Sequence, residues 1–518
     1  MSDDGPVGDE FARVVAAMRD PAFYPGTPDA VDVHETHISW VFVVGDRAYK
    51  LKKPVVLPFL DYGTRARRRE MCEREVALNR RLAPDTYLGV RGIVDGAGGG
   101  LELGAPGDGA IEHAVEMWRF DDGDTLESRV ADGSVTAEQV ANVGRALAAF
   151  HAAAEPCSSD TVAAVTQIAD GNFQALLAQA RPFDRRRVFA AQRFADAFVA
   201  GSAELFDARR GVGRVRDGHG DLRAEHVVFG ATLQIVDCAE FDDDLRDIDV
   251  AEDLAFLVMD LERLGRPDLG EALVAGYREA GGDPGPDALI AFYAAVKAWV
   301  RAKVALLAPG GGGARAAELF AHGEHWSWRA RLPLALVVCG PPASGKSRLA
   351  AALAEHAGLT VVDSDTTRKG LVGLQATERA PQAAYSEHAT EVTYAELGRL
   401  AAAHVARDGG VIVDATFGSG ASRDAFFEAF GAASETIVFE CRAPAAVLRE
   451  RARRREHDPS RVSDADAEIA ERLRAAFEPL EDAVAPADHF VVRTDRTVDE
   501  ALDDVVAMLD LRAGVAAA

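Results

Sequence analysis

Apolar and polar positions change rhythm several times along this chain. Residues 31–44 form an apolar run with polar residues interspersed, turn at Gly45-Asp46 and resume over 47–56, which predicts a β-hairpin. Residues 64–82 are charged and helical, 115–120 read as a strand, and 124–129 open a helix. A mainly helical region spans 136–207, and two short strands follow at 227–229 and 233–237. Residues 297–307 make an apolar helix with basic residues at intervals, 309–313 (Pro-Gly-Gly-Gly-Gly) break it, and 316–328 are helical again. From Leu334 onward short apolar runs at 334–339, 359–363, 411–417, 436–441 and 489–494 alternate with helical stretches, the pattern of a parallel α/β sheet. Thr497-Val498-Asp499-Glu500 is a capping box for the last helix.

A chain of 518 residues exceeds one hydrophobic core. The break in rhythm therefore predicts a first domain over 1–309, a linker over 310–331 and a second domain over 332–518. No internal repeat relates the two halves. Hydrophobic content of 48% with 27% charged residues describes folded rather than disordered chain. The net charge of −26 repels phosphates, which argues against nonspecific nucleic-acid or anionic-membrane partners and requires any phosphate site to be locally basic. Lysines are confined to Lys50, Lys52, Lys53, Lys297, Lys303, Lys346 and Lys369, so a lysine at a motif position stands out. The five cysteines form no Cys-x-x-Cys pair and read as buried thiols in a reducing compartment. The acidic start lacks a signal-peptide pattern and no apolar run reaches membrane-spanning length, so a cytoplasmic protein is expected.

The chemistry begins where the strand at 334–339 meets Gly340-Pro341-Pro342-Ala343-Ser344-Gly345-Lys346-Ser347. This is Gly-x-x-x-x-Gly-Lys-Ser between a buried strand and an Ala/Leu-rich helix, the phosphate-binding loop. Glycines let backbone N–H groups turn inward around phosphate oxygens, and the helix start adds partial positive charge. Lys346 is placed to reach the β- and γ-phosphates of ATP, and Ser347 to offer its hydroxyl to Mg²⁺.

In the first half, His219-Gly220-Asp221-Leu222-Arg223-Ala224-Glu225-His226 precedes a short strand pair ending in Asp237. Together with Lys50 on the early hairpin, this arrangement resembles the aminoglycoside phosphotransferase-like branch of the protein-kinase fold over roughly residues 31–307. The resemblance implies Asp221 as catalytic base and Asp237 as a Mg²⁺ ligand. It implies Lys50 on the α- and β-phosphates, Glu75 orienting Lys50, and Arg223 toward the transferred phosphate. The family's second metal ligand is an Asn five residues after the base; here that position is His226, and imidazole is a poorer Mg²⁺ ligand than oxygen. Glu225 or water would then fill the site, or metal binding is weakened. Lys52 shares the face of Lys50, which leaves a solvated lysine on an exposed strand face as the competing reading. Asp253 reads as a structural, hydrogen-bonding carboxylate.

The second half resembles small P-loop kinases of the predicted-kinase, gluconate-kinase-like and zeta-toxin-like group. The matching residues are the phosphate loop, Ser364-Asp365 with Arg368-Lys369, the strand end at Asp414, then Arg451, Arg454 and Ser463-Asp464-Ala465. The resemblance implies Asp365 as base toward the acceptor, Arg368 on an anionic acceptor, and Asp414 holding Mg²⁺ through water. Arg451 and Arg454 would close over the phosphates as a lid, while Lys369 reads as surface. No guanine-type Asn-Lys-x-Asp exists, and Asp414 is followed by Ala415 rather than a water-activating Glu, which favours a kinase over a mechanical ATPase or GTPase.

The order of the two halves resembles bifunctional aminoglycoside phosphotransferase-like and ATP-binding fusion proteins. It implies a protein-kinase-like α+β fold followed by a three-layer α/β/α P-loop kinase domain. Three functions stand as expectations. Both halves phosphorylate hydroxyls of small-molecule acceptors; or the first half is a pseudokinase regulating the second; or the protein is a toxin-like or stress-linked nucleotide-sugar kinase. The acceptor and the oligomeric state are left open.

Overall fold

The computed structural model describes residues 5–57, 60–96, 98–179, 183–308, 312–431, 434–455, 467–480 and 488–514. Its internal contacts divide the chain into two compact units, Met1–Gln167 with Glu204–Ala298, and Ile168–Ala203 with Trp299–Ala518. The stretch 168–203, expected inside the first domain, thus packs with the second unit, as does 299–308. Of the expected linker, 310 and 311 lie outside the described residues, as does the adjoining Pro309.

In the first unit, β1 (Asp32–Glu35), β2 (Ser39–Val44), β3 (Arg47–Lys52), β4 (Tyr87–Asp95), β5 (Leu101–Gly104) and β6 (Glu112–Trp118) form an antiparallel sheet in the order β1-β2-β3-β6-β4-β5. The run at 31–44, read as one strand, is two. Thr36 ends the first by donating its N–H to the Ser39 carbonyl (2.9 Å) and taking the Ser39 N–H on its hydroxyl (3.0 Å). Period-2 alternation along β3 sends Tyr49 and Leu51 into one core and turns Lys50 and Lys52 to the opposite face. Helix α1 (Arg65–Asn79), capped by Thr64, covers that second face. Its buried residues Arg68, Met71, Cys72, Glu75, Val76 and Asn79 recur at helical spacing, so a carboxylate and an amide are carried into the interior with the apolar stripe. Further along, β7 (Val227–Phe229) pairs with β8 (Leu233–Ile235), and helix α2 (Val250–Arg263) is buried over most of its length.

The second unit is built on β9 (Leu334–Cys339), β10 (Val361–Asp363), β11 (Gly410–Asp414), β12 (Glu435–Arg442) and β13 (His489–Arg493), a parallel five-stranded sheet in the order β10-β11-β9-β12-β13. Every residue of the central β9 is buried. Its alternate side chains feed two cores, one through Leu336 and Val338 against Leu353 and Val505, the other through Ala335 and Val337 against Leu397 and Phe426. The predicted capping box forms between Thr497 and Glu500 at the start of the last helix, Val498–Asp510. No helix among the described residues is long and apolar enough to cross a membrane. All five cysteines are free thiols, and all but Cys157 are buried.

The helices Arg185–Gly201 and Gly313–Arg329 belong to this second unit. Arg331 lies over the Phe194 ring at 4.1 Å and donates to one Asp510 oxygen (2.5 Å), while Arg193 donates to the other (2.7 Å). Removing Arg331 leaves Asp510 one partner. Arg331→Ala is therefore expected to lower the second unit's stability by about 2 kcal/mol in urea unfolding, below the ~3–5 kcal/mol of a carboxylate left wholly unpaired.

Candidate active sites

At the first site, Lys50 Nζ lies 2.6 Å from Asp237 Oδ1 and 3.0 Å from Glu75 Oε1. The other Glu75 oxygen accepts from Lys52 Nζ at 2.6 Å. Lys52 is fully buried and also pairs with Glu240, which accepts from the Tyr62 hydroxyl at 2.7 Å. One buried carboxylate thus bridges two ammonium groups. Burial pushes the Lys50 ammonium toward deprotonation, but Asp237 and Glu75 outweigh it and hold its pKa well above the ordinary lysine value. Burial likewise pushes the Asp237 carboxyl up, yet Lys50 and His226 hold it well below the usual carboxylate range. Lys52, Tyr62 and Glu240 were not picked out as site residues from the sequence. Lys52 did share a face with Lys50, the one signal available, and that signal equally suited an exposed, solvated strand face.

The loop carrying Asp221 is fixed from beneath. Asp253 accepts the backbone N–H groups of His219 (2.6 Å) and Gly220 (2.9 Å), and lies 3.2 Å from His151 Nε2. That is the structural role expected of it. The His219 ring lies with Nε2 at 2.9 Å from the Val236 carbonyl, and its Nδ1 takes the Asp221 N–H at 3.3 Å. The ring is therefore neutral with its proton on Nε2, and it ties the loop to the end of β8. Asn79 accepts the Cys238 N–H at 2.9 Å, securing the same strand end, where Asp237 adopts a left-handed backbone at φ +63°. Asp221 and Arg223 pair at 2.9 Å, and His226 Nε2 stands 3.6 Å from Asp237 Oδ2. The structure thus gathers Lys50, Glu75, Asp221, Arg223, His226 and Asp237 in one place.

Burial lowers the His219 pKa from 6.5 to about 4. Between those values the unfolded chain binds a proton that the folded unit refuses, so stability is complete above pH 6.5 and is lost as pH falls toward 4. The loss amounts to about 3 kcal/mol for this one ring. Urea unfolding of the first unit between pH 7 and 4.5 is expected to show that decline, with a shallower slope in His219→Gln.

At the second site, the phosphate loop takes a conformation that its small residues permit. Gly340 and Gly345 sit at φ +134° and +95°, and a Cβ on Gly340 would lie 2.7 Å from the Cys441 carbonyl oxygen. Ala343 is also left-handed, at φ +66°. Pro341, Pro342 and Ser344 complete the turn, and helix α3 (Lys346–Ala357) begins with no side chain capping its first amides. Those amides are the groups an anion would take. Asp414 ends β11 beside Val338 and Asp363, lies close enough to Ser347 for that hydroxyl to favour its charged form, and leaves its Oδ1 buried without a partner. Burial pushes the Asp414 carboxyl up, against the pull of Lys346 and Ser347. A buried acceptor beside a hydroxyl fits a hard cation, with the remaining positions left to water and phosphate oxygens. Among the described residues no three His, Cys, Asp or Glu side chains converge as a metal cage.

Asp365 stands half-buried in the first turn of α4 (Ser364–Leu371), close enough to add its field to that on Asp414. Arg451 reaches the loop, donating to the Ser344 carbonyl at 3.4 Å and to the Thr494 carbonyl at 2.5 Å; the Thr494 hydroxyl also holds Ser344. Thr494 ends the last predicted strand, and nothing local marked it. Three expectations need correction. Arg454 pairs with Glu450 at 2.8 Å on an exposed helix face rather than at the loop. Arg368 is buried and donates to the Ala384 carbonyl at 2.7 Å, so its guanidinium serves the fold rather than an acceptor. Lys369 is buried, not surface, with Nζ on the Ala376 carbonyl at 2.8 Å. Ser463-Asp464-Ala465 lie outside the described residues.

Residues 43–292 match the phosphotransferase enzyme family, and residues 336–480 match the AAA domain. Among solved structures, a choline/ethanolamine kinase family protein from Mesorhizobium loti aligns at 15% identity and TM-score 0.39 over 61% of this chain and 94% of its own. A shikimate kinase from Acinetobacter baumannii aligns at 20% identity and TM-score 0.26 over 35% of this chain and 94% of its own. An uncharacterized protein of Mycobacterium tuberculosis is 35% identical over 464 residues, 86% of this chain and 90% of that one, and an uncharacterized Mycobacterium bovis protein matches to the same degree. The chain belongs to the family of these mycobacterial relatives, and it joins a kinase-like phosphotransferase domain to a P-loop kinase-like domain in one polypeptide.

Proposed function

We propose that the protein is a two-site ATP-dependent phosphotransferase, each site moving the γ-phosphoryl group of ATP to a hydroxyl of a small molecule. The observation that carries this reading is the Asp414 carboxylate near Lys346 and Ser347 of the phosphate loop, with its Oδ1 buried and unpartnered. At the second site the loop amides and Lys346 grip the triphosphate, and Asp365 takes the acceptor proton. Arg451 braces the loop from the Ser344 side. At the first site Lys50, set by Glu75, holds the α- and β-phosphates, and Asp221 accepts the proton of the attacking hydroxyl. When bound, Mg²⁺ would supply positive charge against the negative charge that spreads over the phosphate oxygens in the transition state. Asp237 at the first site, and Asp414 with Ser347 at the second, are the groups that would hold it.

A second reading keeps only the P-loop half active, with the first half a pseudokinase that regulates it. The ion pair of Asp221 with Arg223, and His226 in place of an amide ligand, favour that reading. Acceptor-dependent ADP release by Asp221→Ala and Lys346→Ala proteins separates the two. With two working sites, each substitution removes a different part of the acceptor profile; if Asp221→Ala changes nothing, the pseudokinase reading replaces the two-enzyme one.

A further inference from the structure

The cation beside Asp221 is part of the chain. Arg223 Nε lies 3.1 Å from both Asp221 carboxylate oxygens, and Nη2 lies 2.9 Å from Asp221 Oδ2 and 2.9 Å from His226 Nε2. Nη1 pairs with Glu225. On its other side the His226 ring places Nδ1 2.7 Å from the Asp221 carbonyl oxygen. A carbonyl only accepts and a guanidinium only donates, so Nδ1 carries the proton and Nε2 the lone pair. His226 is therefore neutral, and its one lone pair already faces a protein cation. That same Nε2 stands 3.6 Å from Asp237 Oδ2. An ion with bonds of about 2.1 Å to each would bridge the two at an open angle. The guanidinium thus rests against His226 Nε2, a donor that an ion would otherwise share with Asp237.

We propose that Arg223 takes the place of a second metal ion at the first site. The centre then works with one divalent cation, held through Asp237, and one fixed guanidinium seated between Asp221 and His226. This rests on reading the first half as a nucleotide site. The exchange of amide for imidazole follows from it. An Asn oxygen suits a hard ion, whereas an imidazole lone pair suits an N–H donor. A guanidinium stays charged at any working pH and offers N–H groups in a planar fork to phosphoryl oxygens. His226 on this account is a positioning residue for Arg223 and not a metal ligand.

The test counts ions and asks what binds them. Mn²⁺ is titrated into full-length Lys346→Ala protein with a non-hydrolysable ATP analogue and followed by electron paramagnetic resonance, while calorimetry records nucleotide uptake. One Mn²⁺ per bound nucleotide is expected, with no imidazole-nitrogen modulation in its spin echo. In Lys346→Ala/Arg223→Ala the count is expected to rise to two, and imidazole modulation appears that His226→Ala then abolishes. Two ions or imidazole modulation with Arg223 in place overturns the proposal and leaves the nucleotide-site reading standing. So does a count still at one without Arg223. Absence of nucleotide uptake by the Lys346→Ala protein removes both. Should Arg223→Ala fail to fold, the Lys346→Ala spin echo alone decides whether His226 is a ligand.

Discussion

Lys346→Ala is expected to lower acceptor-dependent ATP turnover at the second site by about 100- to 1,000-fold, the range seen when a preorganised charge-stabilising donor is removed. Lys346 is the only lysine in the phosphate loop, in a chain whose net charge of −26 disfavours phosphates overall. The other cation at the loop, Arg451, is engaged with the Ser344 and Thr494 carbonyls and cannot swing over without releasing them. Asp414 and Asp365 lie close by, so deleting the ammonium also leaves carboxylates facing phosphates. Steady-state ADP release in an Asp221→Ala background, chosen to silence the proposed first site, reads the effect. A loss below tenfold would mean the loop is not where phosphate is transferred.

Lys52→Ala is expected to destabilise the first unit by about 3–5 kcal/mol, the cost of breaking a buried ion pair by removing one partner. Glu240, with a side chain 5% exposed, would lose its ammonium and keep only the Tyr62 hydroxyl. Glu75 would keep Lys50 alone, and with both its oxygens free to follow that one partner it would no longer be pinned. The consequence reaches chemistry, because Lys50 is aligned between Glu75 and Asp237. Urea unfolding should show the stability loss. Nucleotide affinity at the first site should fall as well, and Lys52→Met, which restores the volume, should recover packing but not affinity.

What could be read from the sequence was whatever lay close together along it. Gly340–Ser347, the His219–His226 loop and Asp414 at a strand end are contiguous signals, and each appears where its local pattern put it. The pairing of Lys52 with Glu240 joins residues 188 positions apart, and no local periodicity encodes it. Lys369 looked like a solvent-facing charge because charge alone predicts exposure, and Arg368 like a ligand for an anionic acceptor. Their burial depends on the carbonyls of Ala384 and Ala376, supplied by a loop whose course the sequence does not dictate. The break at Thr36 was hidden by the apolar residues on either side. Helical spacing in 168–203 announced a face to be buried but not the partner that buries it.

That last stretch bears on how such a gene can be rearranged. Helix Arg185–Gly201 is encoded within the span that matches the phosphotransferase family, yet it folds with the P-loop unit. A crossover at the glycine codons after Pro309 would hand a new host a P-loop fragment shorn of that helix, its Asp510 missing the Arg193 contact. Recombination there yields a damaged module rather than a portable one, so selection should hold the two reading frames together through descent.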